Sequence, residues 1–260
     1  MIREPRQLAL GVRLRDVATF EAFEPGPNGA ALAWLARVVG ALHSVAEPVG
    51  ETADVCSGNR PGGRGPGERG WLWGPEGSGR SHLLEAACHA AVGHGLRVIY
   101  LTPDLITAAP DTVLAGLEHC QLVALDDLGR LAGDREAELA LFDLCNRLTD
   151  AGALLLAAAG AAPLSHSWCL PDLASRLAAA TVFRLRPLDD AGRARALQRR
   201  AEIRGLELPG RTARFILSRV DRQPGALFAL LDELDLASLA AQRRLTVPFV
   251  RDLLAQRNPP

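Results

Sequence analysis

The stretch WLWGPEGSGRSHLL, Trp71 to Leu84, reads as a short apolar strand, a glycine-rich turn and the opening of a helix. Its spacing is that of G-x-x-x-x-G-K-[ST], a phosphate-binding loop, with Gly74, Gly79, Arg80 and Ser81 at the defining places and arginine where lysine is expected. Glycines let the backbone turn tightly enough for successive N–H groups to face phosphate oxygens, and the positive end of the following helix adds to the cradle. The basic side chain reaches the outer phosphates, and the Ser81 hydroxyl can ligate Mg²⁺. A planar guanidinium is bulkier than an ammonium and need not place its charge on the same oxygens. All 29 of the Lys+Arg residues are arginine, so Arg80 belongs to a chain-wide absence of lysine. A site whose turnover depended on the ammonium should have resisted that replacement. The loop therefore reads as a nucleotide site with weakened hydrolysis; a glycine-rich turn with no ligand is the competing reading.

Downstream, strands and helices alternate. A helix is expected over Ser81–His94, a strand over Arg97–Leu101, a helix near Thr112–His119 and a very apolar strand at Leu122–Leu125 ending in Asp126-Asp127. Then follow a helix over Asp134–Thr149, a strand at Leu154–Ala158, a short helix at Asp172–Leu177 and a strand at Thr181–Leu185. Short apolar strands alternating with helices argue for an α/β fold, a parallel sheet sandwiched by helices. From Pro187 the strand signal ends, and four helices are expected, with Asp189 and Thr246 as N-caps and Pro248 in a first turn. The division is a 1–18 arm, a 19–186 α/β domain and a 187–260 helical domain. Residues 48–70, rich in glycine and proline with almost nothing apolar to pack, read as a flexible insertion.

Asp126-Asp127 ends a buried strand, where parallel-sheet proteins gather ligands. One carboxylate can hold Mg²⁺ with Ser81 and the other can orient a water. Arg176, on a leucine-rich short helix, matches the arginine that one subunit lends to another's phosphoryl transfer. Arg193, Arg195, Arg199, Arg200 and Arg204 make one strongly basic helix, read as a solvated face in preference to a surface for DNA.

A length of 260 residues allows one medium domain and a small one, and a net charge of −1 carries no global basic footprint for nucleic acid. No apolar run approaches a membrane span and the N-terminus lacks a signal-peptide core, so a cytoplasmic location without membrane attachment is expected. Cys56, Cys88, Cys120, Cys145 and Cys169 are scattered singly and read as buried, inert thiols. No histidine has metal-ligand spacing, and His166 near Cys169 reads as coincidence.

The order of phosphate loop, acidic strand end, LPDLASRL and helical lid resembles the AAA+ ATPases of the DnaA clade. Within it, the chain is similar to the Hda family of regulatory inactivators of DnaA. QLALGV, TFEAFEPGPN, GSGRSHLLEAAC, FDLCNRL, LPDLASRL, LRPLDD, ALQRRAEIRGLELP and LTVPFVRDLLA carry the likeness across nearly the whole chain outside 48–70. The resemblance implies an AAA+ sheet with a helical lid, bound ADP, and attachment to the polymerase III sliding clamp (its β subunit). The clamp-bound protein then prompts DnaA to hydrolyse ATP, which blocks re-initiation. On that likeness Gln7, Leu8, Leu10 and Val12 form the clamp-binding motif. Gly74, Gly77, Ser78, Gly79, Arg80, Ser81 and His82 hold ADP, and Arg176 is the finger presented in trans. Phe20 and Phe23 fall near the adenine in the clade, contact with DNA runs through the clamp, and a homodimer is compatible.

Departures from the pattern are Gly11 and Val12 in the clamp motif, Ala158 where a polar sensor residue is usual, and Gly225 where the lid offers a sensor arginine, with Arg222 as its nearest substitute. These favour a bound diphosphate and little turnover. The competing function is an ATP-hydrolysing initiator or helicase-loading factor acting on DNA. Initiators of this clade append a helix-turn-helix domain, whereas this chain is read as ending after the lid, so the regulator is preferred.

Overall fold

The computed structural model describes residues 18–46, 68–221 and 223–257. Gln7, Leu8, Leu10 and Val12, with Cys56 and Arg222, lie outside them, as does most of 48–70. After a 3-10 turn at Gly26–Asn28 come α1 (Gly29–Ala46), β1 (Arg69–Trp73), α2 (Arg80–Gly93), β2 (Val98–Leu101), α3 (Pro103–Ala108), α4 (Pro110–Leu114) and β3 (Leu122–Leu125). They are followed by α5 (Arg135–Ala151), β4 (Leu154–Ala159), α6 (Pro171–Ala178) and β5 (Thr181–Arg184). The rest is helical: α7 (Asp190–Ile203), α8 (Gly210–Leu217), α9 (Pro224–Ala241) and α10 (Val247–Arg257).

Three expectations shift. Ala18, placed in the arm, is buried, and Arg69 and Gly70, placed in the insertion, already belong to β1. The single helix expected at Thr112–His119 is instead two short helices and a 3-10 turn. Pro103 and Pro110 each open a helix, which suits proline's fixed φ, and Gly116 at φ 74 breaks the helical path before Leu117.

The five strands are all parallel, in the order β2-β3-β4-β1-β5. Side chains alternate across the sheet, so each central strand feeds two cores. Trp71, Val123, Leu125, Leu155 and Ala157 pack against α5 and α6. Leu72, Leu122, Ala124, Leu154 and Leu156 pack against α1 and α2. Only near-continuous apolar runs can satisfy both faces, which explains the composition of these strands. β1 and β3 flank β4, so the loop after β1 and the acidic pair after β3 open at the same edge of the sheet. The C-terminal helices close a third core around Leu197, Ala201, Ile216, Leu230 and Leu234. Asp189 caps α7 by accepting from the Gly192 N–H at 2.7 Å. No helix among the described residues is long and apolar enough to cross a membrane.

Glu138 lies on the buried stripe of α5 and is fully buried itself. Its carboxylate accepts from the backbone N–H groups of Gly133 at 2.8 Å, Cys169 at 3.0 Å and Leu170 at 2.9 Å. Cys169 and Leu170 lead directly into α6, so this side chain fixes where that helix starts. At its other end, Arg69 donates to the Arg176 carbonyl at 3.3 Å and to the Thr149 hydroxyl.

The expectation of buried thiols holds for Cys88 and Cys145 but not throughout, since Cys120 is half-buried and Cys169 is exposed. Burial pushes Cys88 up to about 12 and Cys145 up to about 11, which keeps both as inert thiols. His166 packs against Trp71 and Trp168, with ring centroids 6.0 and 5.6 Å apart. Among the described residues there is no group of three His, Cys, Asp or Glu side chains able to hold a metal.

Removing the Glu138 carboxylate strands backbone donors that it alone serves. Glu138→Ala should therefore lower stability by about 2 to 4 kcal/mol in a urea titration, and an unmoved midpoint would contradict the anchoring role. Alkylation of the folded protein followed by peptide mapping should label Cys169 and spare Cys88 and Cys145 until denaturant is added.

Candidate functional site

Between the C-terminal edge of the sheet and the helical domain lies a cleft of about 640 Å³. Gly77, Ser78, Gly79, Arg80, Ser81 and His82 line one side of it, together with Asp127. Ala18, Ala22, Phe23 and Glu24 line another, and Leu188, Ala196, Arg200, Gln223, Gly225 and Phe228 come from the helical part. Gly74 plays a different part from the other loop residues, because it ends β1 and its N–H donates to the Ala159 carbonyl at 3.4 Å.

Gly79, at φ 96, precedes α2 and provides no side-chain cap for it. A Cβ there would lie 2.7 Å from the Phe23 ring, so both the backbone angle and the close approach require glycine. The first N–H groups of α2 cannot be answered within the helix, and Arg80, Ser81 and His82 of that first turn line the cleft. Two buried polar atoms of the loop have no hydrogen-bond partner: Ser78 Oγ and Arg80 Nη1. A buried guanidinium nitrogen without an acceptor is costly, and an anion in the cleft would supply one. The orphaned donors and the glycine cradle together fit a phosphate group.

The two aspartates diverge. Asp127, at φ 44, enters the cleft, and its Oδ1 lies 3.4 Å from Arg80 Nη2. Asp126 is buried and does not line the cleft. Its Oδ2 accepts from the Tyr100 hydroxyl at 2.6 Å and its Oδ1 from the Asp127 N–H at 2.9 Å. Burial, reinforced by the neighbouring Asp126 charge, holds the Tyr100 phenol far above its ordinary value, so it stays protonated and keeps donating. Of the three residues expected around Mg²⁺, Ser81 and Asp127 share the cleft and Asp126 faces away from it.

Phe23 and His82 stack obliquely, with ring centroids 5.4 Å apart, and His82 Nε2 lies 3.0 Å from the Thr19 carbonyl. Phe20 packs beside the α1–α2 core rather than on the cleft wall. Ala158 is wholly buried within β4. The residue at that strand end nearest Arg80 is Gly160, where a Cβ would sit 3.8 Å from Arg80 Nη1. The sensor position inferred at Ala158 is thus two residues early, though neither residue offers a polar group. Gly225 does line the cleft, and a Cβ there would meet nothing within 4 Å.

Arg176 is not part of the cleft. Its guanidinium carbon stands 4.9 Å from the centroid of the Phe142 ring, on the α5 side of α6.

The basic helix is not the solvated face its composition suggested. Arg195 pairs with Glu24 at 2.8 Å, Arg199 donates to the Phe23 carbonyl at 2.8 Å, Arg193 pairs with Asp190 at 3.0 Å, and Arg204 pairs with Asp232. Arg200 reaches the cleft instead, with its guanidinium carbon 4.2 Å from the Phe228 ring centroid. Asn28, just before α1, spans to the backbone that leads into the helical domain. It donates to the Arg186 carbonyl at 2.9 Å and accepts from the Arg186 N–H at 2.8 Å. Sequence spacing gave no sign of Asn28 or Arg200 in these roles, because their partners lie far along the chain. Glu138 did leave a signal, an acid on the same helical face as Leu141, Cys145 and Leu148.

Residues 190–254 match the family described as Hda, lid domain. Domain III of the replication initiation protein DnaA from Thermotoga maritima is similar over 95% of this chain and 99% of its own, at 23% identity and a TM-score of 0.70. AMPPCP-bound DnaA from Aquifex aeolicus is similar over 86% of this chain and 66% of its own, at 20% identity and a TM-score of 0.65. The RuvB Holliday junction branch migration motor of Thermotoga maritima follows the same fold over 90% of this chain and 72% of its own, at 14% identity and a TM-score of 0.60. The chain thus joins a C-terminal helical part that matches the Hda lid domain to a parallel α/β sheet with the fold of DnaA domain III.

Proposed function

We propose that this chain is a regulator of replication initiation that holds ADP in its own cleft and, bound to the sliding clamp, stimulates ATP hydrolysis by DnaA through Arg176. The observation that carries the reading is the conjunction of an Hda lid with a glycine cradle whose arginine keeps one buried nitrogen without a partner. A DnaA of the same fold is bound to AMPPCP, which supports a nucleotide ligand here. Gly77, Ser78, Gly79, Arg80 and Ser81 would hold the diphosphate, and Mg²⁺ held by Ser81 and Asp127 would offset its charge.

Several features of the cleft disfavour turnover. The second carboxylate is engaged with Arg80, the first is held by Tyr100 and backbone, and neither Gly160 nor Gly225 carries a side chain to steady a γ-phosphate or a water. Phosphoryl transfer depends mainly on positioned charge, so these losses weigh more than a retained acidic pair. Arg176, placed outside the cleft, is available to a nucleotide bound elsewhere. Gln7, Leu8, Leu10 and Val12 supply the clamp contact on this reading.

The test combines this protein, DNA-loaded clamp and ATP-bound DnaA and follows phosphate release. Acceleration that depends on the clamp is expected, and Arg176→Ala should cut the stimulated rate by roughly 10³-fold or more. Undiminished stimulation by that variant would remove Arg176 from the mechanism, and sustained release by the isolated chain would favour an ATP-hydrolysing initiator or helicase-loading factor. In direct titration, Arg80→Ala should weaken ADP binding by roughly 10- to 100-fold, the scale of a lost charge-assisted hydrogen bond. Equal affinity for variant and parent would mean that the cradle does not use its arginine.

A further inference from the structure

We infer that the helical domain carries a second binding site, a pocket between the end of α8, the start of α9 and α10 that takes a short acidic peptide segment of a partner protein. An apolar side chain of that segment fills the pocket while its carboxylates meet Arg219 and Arg251. No residue of the nucleotide cleft lines it.

The pocket has a volume of about 620 Å³. Phe215, Val220, Ala226 and Leu254 give it an apolar lining, and Arg219, Asp221, Arg251 and Arg257 bring its charges. Arg251, Leu254 and Ala255 fall on one face of α10 by their spacing, so cation and apolar wall stand side by side. Elsewhere in this domain arginines are answered from within the chain, as Arg195 is by Glu24 and Arg204 by Asp232. Arg219 and Arg251 differ. Both are exposed, and among the described residues no carboxylate lies within ion-pairing distance of either. What each does meet is the Phe215 ring, with its guanidinium carbon 5.8 Å from the centroid. Two cations drawn to one ring repel each other, and a carboxylate seated between them would offset that repulsion. Arg257 is already engaged with Glu233 at 3.5 Å, so the uncommitted positive charge comes from the pair on Phe215.

The acidic member of the lining decides the class of partner. Asp221 accepts from the Gln223 N–H at 3.1 Å and keeps its charge in the same pocket. A nucleic-acid strand would bring its phosphates against this carboxylate, and its backbone has no N–H to offer it. A peptide supplies all three complements: carboxylates for the arginines, an apolar side chain for Phe215 and Leu254, and backbone N–H groups for Asp221. Exposed ion pairs are screened by salt. The apolar side chain therefore supplies the larger part of the affinity, and the arginines select for acid beside it.

The experiment follows the fluorescence anisotropy of two labelled peptides, Glu-Glu-Leu-Glu-Glu and Glu-Glu-Phe-Glu-Glu, as the full chain is added, with a labelled oligo-dT strand in parallel. The parent protein should bind at least one of the peptides. Glutamine in place of the glutamates, or alanine in place of the central residue, should weaken that binding roughly 10-fold. Arg219→Gln combined with Arg251→Gln should cost the acidic peptide roughly 10-fold and leave the glutamine peptide within about 2-fold. Ala255→Glu adds a carboxylate to the exposed rim of the pocket and should repeat the loss, so the result stays readable if the double variant folds poorly. Arg244→Gln, outside the pocket, should stay within about 2-fold of the parent. Failure of the parent to bind either peptide would overturn the site. Equal losses for Arg244→Gln and the pocket variants would overturn it too, because overall charge would then be responsible. Tighter binding of oligo-dT than of the peptides, lost in the same variants, would assign the pocket to nucleic acid and overturn the peptide.

Discussion

The Phe23 ring lies where any side chain on residue 79 would have to be, and much of the molecule's organisation follows from that contact. The ring is buried, and burying a phenylalanine contributes about 1.5 to 3 kcal/mol, so the chain segment before α1 is pressed onto the phosphate loop. The same segment is tied to the lid by Glu24 and by the Phe23 carbonyl, and to the backbone leading into the lid by Asn28. The Arg195–Glu24 pair is open to solvent on the arginine side and is screened, so it steers more than it stabilises. Asn28 is the firmer clip, since it is buried and both ends of its amide are satisfied by one backbone residue. Loop, segment and lid thus form a chain of contacts in which none can shift without the next, and whatever fills the loop is coupled to lid position.

That coupling gives a physical reason for the state of the acidic pair. A site built for hydrolysis needs a carboxylate free to hold metal-bound water close to the terminal phosphate. Here the Tyr100 hydroxyl, kept protonated by burial, occupies one oxygen of Asp126. The Asp127 backbone occupies the other, at a residue whose left-handed conformation turns the second carboxylate toward Arg80. Holding a ligand and turning it over make opposite demands on such groups. Rigid pairing favours the first.

The parallel sheet was legible because strands covered on both faces must be apolar throughout, and Leu122–Leu125 or Leu154–Ala159 admit no other reading. The phosphate loop was legible because glycine spacing there is forced by backbone geometry. Which of two adjacent aspartates enters the cleft was not, since one residue of rotation after a strand decides it and Asp127's positive φ has no signature in its neighbours. The basic helix was misjudged for a different reason. Arginine in a predicted helix is solvated unless something answers it, and the answer to Arg195 lies 171 positions earlier. The sensor position was set two residues early because β4 continues to Ala159, and a run of alanines gives no mark of where a strand stops.

The anchoring of α6 bears on the proposed role of Arg176. An arginine that enters another protein's site loses rotamer freedom worth up to about 2 kcal/mol, a cost that falls if it is already confined. Glu138 fixes the backbone just before α6, Arg69 holds the carbonyl of Arg176 itself, and the Phe142 ring supports the guanidinium. None of these three residues lines the nucleotide cleft. On the regulator reading, the protein therefore keeps its two charges on separate supports. Arg80 and its cleft belong to the contacts that set lid position, whereas Arg176 stands on a helix pinned to the far face of the sheet, so its presentation does not have to change when the lid moves.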